Sequence, residues 1–235
     1  MVILEVKNLN VYYGGFKALW DITLSVERDQ IVSILGSNGA GKSTLLKTIS
    51  GLLKPGSGSI LFNGERIDHL GPHDIVKLGL CLVPEGRKIF SNLTVLENLM
   101  VGSYISPARK TRDGQLKSVF ELFPRLQERK NQLGSTLSGG EQQMLAIGRA
   151  LMSQPKLIIF DEISLGLGPI MVKHLYQTVN RIKQKGMGVV LVEQDVKRSL
   201  KTADFAYILQ EGKISLKGNP KDFTEEEVKK AYFGL

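Results

Sequence analysis

Nine consecutive residues, Gly36-Ser-Asn-Gly-Ala-Gly-Lys-Ser-Thr44, have the composition of a cradle for a chain of phosphates. Gly36, Gly41, Lys42 and Ser43 take the fixed places of the pattern G-x-x-x-x-G-K-[ST], with Ser37, Asn38, Gly39 and Ala40 between them and Thr44 after. Glycines at such places let backbone N–H groups turn inward around an anion where a Cβ would obstruct. A helix beginning near Lys42 would add the positive end of its dipole. The pattern sends the lysine to the β- and γ-phosphates and offers the Ser43 hydroxyl to Mg²⁺.

Two carboxylates supply a second constellation. The apolar run Leu157-Ile-Ile-Phe ends in Asp161-Glu162, which puts both acids at the carboxyl end of a buried strand, where ligands sit in open α/β sheets. Neighbours on an extended backbone face opposite ways, so they take different tasks. Asp161 is suited to hold the Mg²⁺ shell, and Glu162 to orient or deprotonate a water for in-line attack on a phosphate. The third constellation is Leu137-Ser-Gly-Gly-Glu141. Ser138 and Glu141 form the S-x-x-E of a capping box, and Gly139 and Gly140 would bare the first N–H groups of a helix, making a second anion surface.

These groups need a scaffold, and 235 residues suffice for one substantial α/β domain with its own core. Ile31 to Leu35 reads as the strand before the phosphate loop, and Leu45, Leu46 and Ile49 as the apolar face of the helix after it, closed by Lys54-Pro-Gly-Ser-Gly. Leu4, Val6 and Leu9, then Ile22, Leu24 and Val26, alternate as antiparallel strands. Ser59 to Phe62, Asn63-Gly64 and Glu65 to Ile67 read as a hairpin on a type I′ turn, with a short helix from Pro72 to Leu78 and a strand from Leu80 to Val83 after it. Helical signals dominate from Glu85 to Gln154, with loops at Ser106-Pro107 and Asn131 to Thr136. Leu157 to Phe160 and Val189 to Val192 are short continuous apolar runs joined by a helical pattern at Val172, Leu175, Tyr176, Val179 and Ile182, which makes them parallel. A terminal hairpin around Glu211-Gly212 and a helix capped by Thr224 and Glu227 complete the chain. The expected architecture is a mixed, largely parallel central sheet with an antiparallel β lobe (about 1–84 and 155–235 together) and an inserted helical subdomain (about 85–154), all one domain.

Composition narrows the setting. Cys81 is the single cysteine, so no internal disulfide can form and a reducing compartment is expected. No apolar run approaches the length of a membrane span, and the N-terminus has no export-signal pattern. The formal net charge of +8 favours anionic partners without selecting one. The basic clusters Arg109 to Arg112, Arg181 to Lys185 and Lys197 to Lys201 lack interleaved aromatics and read as solvated faces, so no nucleic-acid partner is expected.

The phosphate loop, Leu-Ser-Gly-Gly-Glu later in the chain, and an apolar strand ending in Asp-Glu after that resemble the nucleotide-binding subunit of ATP-binding-cassette transporters, over essentially the whole chain. The resemblance implies an ATPase using ATP and Mg²⁺. It implies two subunits paired head to tail, each phosphate loop facing the other's serine-glycine motif, so that Ser138 and Gly140 would touch the γ-phosphate held by a partner's lysine. It implies Tyr13, rather than Tyr12, as the aromatic stacking on adenine. Three places depart from the general pattern. Glu85 replaces a glutamine that ligates Mg²⁺ or accepts from the attacking water, Gln194 a histidine contacting the γ-phosphate, and Gly168 an aspartate. A carboxylate at 85 can still serve either role, and an amide at 194 can donate but never carries positive charge. His69, His73 and His174 lie elsewhere and read as surface or packing residues.

Val-Pro-Glu85-Gly-Arg, Leu93-Thr-Val-Leu-Glu-Asn98, Ser-Leu-Gly-Leu and Val-Glu-Gln194 together resemble one subgroup, the LivF-type subunit of bacterial branched-chain amino-acid importers. Urea and short-chain amide importers have similar subunits. What this implies is a peripheral ATPase on the cytoplasmic face of the inner membrane, paired with an identical or related ATPase and with integral permease subunits, and touching a solute-binding protein only indirectly. Glu85 to Leu99 would form part of a groove for a short permease helix, with Ile89, Phe90, Leu93 and Leu96 divided between groove and core. A cassette ATPase acting on ribosomes or DNA is the alternative outside transport; it usually carries two cassettes or a long coiled-coil insertion. A phosphate-loop GTPase or kinase needs no Leu-Ser-Gly-Gly-Glu.

Overall fold

The computed structural model describes residues 1–234. Two sheets organise it. A four-stranded antiparallel sheet has the order β2-β1-β4-β5, built from β1 (Val2–Tyr13), β2 (Phe16–Glu27), β4 (Ser57–Phe62) and β5 (Glu65–Arg66). A six-stranded sheet has the order β10-β9-β3-β8-β7-β6, from β3 (Ile31–Leu35), β6 (Leu80–Val83), β7 (Leu157–Asp161), β8 (Gly188–Val192), β9 (Phe205–Gln210) and β10 (Lys213–Gly218). Five of its strands run parallel, and β10 is an antiparallel edge. The mixed, largely parallel sheet with an antiparallel lobe matches the expected class.

Burial follows from sequence pattern. Strands β3 and β8 are buried at every residue, as continuous apolar runs covered on both faces must be. One core fills the space between the two sheets and the helix α1 (Lys42–Ile49), with Leu4, Val6, Ile22, Leu45 and Leu46 fully buried. Each such side chain contributes about 1.5–3 kcal/mol over an exposed one. A second core lies on the other face of the six-stranded sheet, between Phe160, Ile158 and Val189 and the helices α7 (Gly139–Leu151) and α8 (Pro169–Gln184). The α8 crossover joins parallel β7 and β8 as its apolar spacing requires.

The segment between β6 and β7 is helical from Val95 onward: α3 (Val95–Gly102), α4 (Ser106–Lys110), α5 (Arg112–Leu122), α6 (Pro124–Glu128) and α7, with α2 (Pro72–Leu78) preceding β6. Helix α3 starts on a capping box of Thr94 and Glu97, and Gly102 at its end lets α3 meet α7 so closely that a Cβ there would lie 2.0 Å from the Arg149 carbonyl oxygen. Ser106-Pro107, expected as a loop, opens α4 instead, because proline's fixed φ suits the first turn of a helix. Helix α1 ends at Ile49, earlier than the Lys54-Pro signal, since Gly51 at φ 76 has already left the helical region. The Asn63-Gly64 turn has both residues at positive φ, 49 and 80, as a type I′ turn demands. Helix α9 (Val196–Thr202), capped by Asp195, was hidden in sequence within a basic cluster. Helix α10 (Glu225–Phe233) starts on the expected Thr224 and Glu227 box. Among the described residues no helix is long and apolar enough to cross a membrane.

Candidate active site

Register brings the distant constellations together. Val192 at the end of β8 pairs with Ile34 of β3 on one side and with Asp161 of β7 on the other. Gly36, Glu162 and Gln194 each follow within two residues, so all three leave the same sheet edge side by side. That edge opens into a cleft of about 790 Å³ lined by Tyr13, Gly41, Lys42, Ser43, Glu162 and Gln194 among others.

The loop from Gly36 to Gly41 has little freedom in residue choice. Gly41 stands at φ 103 as the N-cap of α1, and a Cβ there would lie 2.6 Å from Leu19 Cδ2. A Cβ on Gly36 would lie 2.5 Å from the Leu209 carbonyl oxygen. No side chain caps α1, so its first N–H groups keep their capacity for an anion. Asn38, Gly39 and Ser43 face solvent, whereas Ala40 is buried. Lys42 is 5% exposed and donates from Nζ to the carbonyls of Gly36 (2.7 Å) and Ser37 (3.1 Å). Its Nζ stands 4.0 Å from Glu162 Oε1. Burial lowers the lysine's pKa, and the charges of Glu162 and Asp161 oppose that.

The acids are arranged unequally. Burial pushes the Asp161 carboxyl up to about 6, with Glu162 and then Glu85 adding like charge, against Lys42 and Lys47. An excess of carboxylate beside a phosphate cradle is an environment that a divalent cation neutralises. Ser43, Asp161 and Glu85 offer oxygen ligands of the kind Mg²⁺ takes alongside phosphate oxygens and water. Among the described residues no group of three His, Cys, Asp or Glu forms an all-protein cage. Glu162 has φ 47, a left-handed conformation costing a non-glycine residue about 1–2 kcal/mol. Its backbone N–H donates to the Val192 carbonyl at 2.8 Å, and its Oε2 accepts from Gln194 Nε2 at 2.6 Å.

Tyr13 is 48% exposed beside the phosphate loop, its hydroxyl 3.5 Å from Thr44 Oγ1. Tyr12 points elsewhere, against Gly56 and Lys17, as alternation along β1 dictates. Phe16, Lys17 and Trp20 complete the open end of the cleft; their scattered spacing gave no signal in sequence.

The serine-glycine motif begins α7 some way off. Ser138 and Glu141 form the full capping box, with Ser138 Oγ donating to Glu141 Oε2 at 2.8 Å, and Arg129 sits 2.9 Å from Glu141. Glu141 therefore points into its own helix start. Gly139 is half-buried beside the Arg87 guanidinium, while Gly140 is buried under Met171 of α8, where a Cβ would lie 2.5 Å from Met171 Cε. The expected pair of bared glycines is thus one partly open position and one covered. Arg87 also donates to Gln142 Oε1 at 3.1 Å, tying the Glu85 loop to α7. The motif is absent from the lining of the cleft around Lys42, so one chain carries two separate half-surfaces. Gly168 caps α8 in the open, and His69, His73 and His174 are all exposed.

Missed in sequence was Glu193, 2% exposed, which accepts from the Ser164 N–H (3.1 Å) and hydroxyl (2.7 Å). Its only sequence signal is an acid next to a fully apolar strand.

A phosphate cradle, a strand-end acid pair and a serine-glycine helix start on this fold define a nucleotide-hydrolysing cassette, and a family model described as ABC transporter matches residues 19–164. The chain belongs to the ATP-binding-cassette transporter ATPases. It is 44% identical over 99% of its length, and 100% of the relative's, to the high-affinity branched-chain amino acid transport ATP-binding protein BraG of Pseudomonas aeruginosa. It is 34% identical to the probable branched-chain amino acid transport ATP-binding protein LivF of Archaeoglobus fulgidus, covering 96% of this chain and 95% of that one. The lipopolysaccharide export system ATP-binding protein LptB of Haemophilus influenzae is also 34% identical, over 100% of this chain and 98% of its own. Among solved structures, a nucleotide-free ATP-binding cassette from an ABC transporter superposes with TM-score 0.85 at 29% identity, covering 98% and 95% of the two chains. A dimeric bacterial ABC transporter cassette superposes with TM-score 0.77 at 26% identity, covering 94% and 100%. Cassettes of this family hydrolyse ATP and work as dimers with membrane permease subunits.

Proposed function

We propose that this chain is the ATP-hydrolysing subunit of an importer for branched-chain amino acids, peripheral on the cytoplasmic face of the membrane. The observation that carries the solute class is the 44% identity to BraG across both whole chains, against 34% to LptB. The solute itself passes through permease subunits and never meets this cleft.

In this reading Gly36 to Thr44 wraps the phosphates, Lys42 leaves its carbonyl partners for the β- and γ-phosphates, and Tyr13 stacks on adenine. Ser43, Asp161 and Glu85 would hold Mg²⁺, which neutralises phosphate charge as the transition state forms. Glu162 orients the attacking water and takes its proton, and Gln194 aligns Glu162 and donates toward the γ-phosphate. Ser138 and Gly139 face the nucleotide of a second ATPase subunit, identical or related, with Gly140 packed beneath Met171 and Glu141 holding their helix start in shape. Permease coupling uses the surface where Phe90, Val101 and Tyr104 are exposed at a groove of about 480 Å³ bounded by α2, β6 and the facing ends of α3 and α7. Ile89, Leu93 and Leu96 are half-buried and lie outside the lining of that groove.

The test is transport. Deletion of the gene should abolish uptake of labelled leucine, isoleucine and valine, and complementation by wild type but not by Glu162→Gln should restore it. Loss of urea uptake with amino-acid uptake intact would transfer the subunit to an amide importer, and a lipopolysaccharide export defect alone would refute import.

A further inference from the structure

Directly behind the cleft sits a carboxylate that the phosphate chemistry does not use. Glu193 lies between Val192, the last residue of β8, and Gln194, and is 2% exposed. Alternation sends its side chain away from that of Gln194. Both its oxygens close on one residue, Oε1 on the Ser164 N–H at 3.1 Å and Oε2 on the Ser164 hydroxyl at 2.7 Å. No cation pairs with it among the described residues, and a buried acid without a cation is costly. An apolar side chain would fill this place at lower cost, so packing alone does not account for it.

What the clamp holds is the turn after Glu162. Glu162 is left-handed at φ 47, and such a conformation persists only where its surroundings fix it. The turn is tied to the segment after β8 by the Glu162 N–H on the Val192 carbonyl, by Ser164 on Glu193, and by Gln194 on the Glu162 carboxylate. Residues 192, 193 and 194 thus each supply one tie, and the middle one carries two hydrogen bonds. Without it Ser164 is free to swing and Glu162 to relax toward an ordinary backbone conformation, carrying its carboxylate off line.

We propose that Glu193 is a positioning residue for hydrolysis: by clamping Ser164 it fixes the strained turn that presents Glu162 to the attacking water, and keeps that turn in register with Gln194. The inference rests on Glu162 being the group that acts on the water.

Steady-state ATPase kinetics of the full-length protein, with nucleotide affinity measured separately by titration of a fluorescent ATP analogue, tests it. Glu193→Ala should lower kcat roughly tenfold or more, as misplacement of a reacting group does, with nucleotide Kd within about twofold of wild type. Ser164→Ala should lower kcat with the same unchanged Kd, and the double variant should be no slower than Glu193→Ala, because both act through one clamp. Glu193→Gln should recover most of the loss, since its amide can keep both contacts, the oxygen accepting from one Ser164 group and the NH₂ donating to the hydroxyl. A folded Glu193→Ala with a lowered Tm but wild-type kcat overturns the proposal. If Glu193→Ala does not fold, Ser164→Ala decides, since it removes only a hydroxyl; an unchanged kcat there overturns the proposal equally. Glu162→Gln measured alongside separates the two levels. Wild-type turnover of that variant refutes the role of Glu162 itself, whereas a dead Glu162→Gln beside fully active Ser164→Ala and Glu193→Ala refutes the clamp alone.

Discussion

Gln194 donates from Nε2 to Glu162 Oε2 at 2.6 Å, joining the residue after β8 to the residue after β7 across the floor of the cleft. Register makes the contact, because Asp161 pairs with Val192 and each chain then continues outward from the same edge. A neutral amide donating to a carboxylate fixes its orientation without adding a formal charge beside it.

Removing that donor frees the Glu162 carboxylate to rotate. Gln194→Ala should therefore lower kcat by up to about 100-fold while ATP affinity changes little, the scale of a reacting group misplaced by about 1 Å. Gln194→His should retain or raise turnover, since an imidazole N–H can make the same contact. The check is kcat and nucleotide Kd on both variants; unchanged values for Gln194→Ala would remove position 194 from the chemistry.

Glu193 makes stability depend on pH. Burial pushes its carboxyl up to about 7 from 4.5, the neighbouring carboxylates Glu162 and Asp195 push the same way, and the hydrogen bonds from Ser164 only partly offset them. Below pH 4.5 folded and unfolded chains both hold the proton and no penalty exists. Between 4.5 and about 7 the unfolded chain loses it first, so stability falls as pH rises, and above 7 the penalty is constant. It amounts to ~3 kcal/mol at most. Glu193→Gln, which never ionises, should therefore gain Tm over wild type progressively from pH 5 to pH 7.5. A Tm difference independent of pH would show that Glu193 ionises at its ordinary value.

Much of this was written in local pattern. The phosphate loop, the Asp161-Glu162 strand end, the parallel strands around α8 and both glycine turns could be read off because each rests on a few adjacent residues obeying one steric rule. What escaped was set by contacts between segments far apart in sequence. Glu193 looked like any acid beside a strand until Ser164 was brought to it. Gly140 looked open until Met171 covered it, and Phe16 and Trp20 had no reason to be linked to Lys42 before β2 lay against the loop. Local signals also misled where a stronger one lay nearby: Ser106-Pro107 read as a break because proline both starts and stops helices.

The contact of α3 with α7 leaves no room at Gly102. A Cβ there would fall 2.0 Å from the Arg149 carbonyl oxygen and 2.9 Å from the Met152 Cβ, and a main-chain carbonyl cannot step aside as a side-chain tip does. Gly102→Ala should destabilise the fold by about 1–3 kcal/mol, the usual cost of overpacking. That corresponds to a Tm loss of several degrees in a domain of this size. Gly114→Ala is the control, since nothing lies within 4 Å of a Cβ there and the change should be neutral or slightly stabilising. Thermal denaturation of the two variants decides; equal Tm values would mean that α3 and α7 separate without cost.

The two half-surfaces make activity depend on protein concentration. Lys42 and Glu162 line one cleft, whereas Ser138 begins α7 outside it. If each nucleotide is completed by the other subunit's Ser138 and Gly139, an isolated chain binds ATP on its phosphate loop but lacks donors for the far side of the γ-phosphate. Specific activity should then rise with protein concentration and level off as dimers saturate, while the fraction binding nucleotide stays flat. Glu162→Gln should shift the ATP-bound form to the dimer, visible by size-exclusion chromatography with ATP and Mg²⁺. A Ser138→Arg chain, blocked on its serine-glycine face, should bind ATP normally but poison wild-type activity when mixed with it. Specific activity constant across a hundredfold dilution, with no dimer from Glu162→Gln, would mean that one chain holds a complete site.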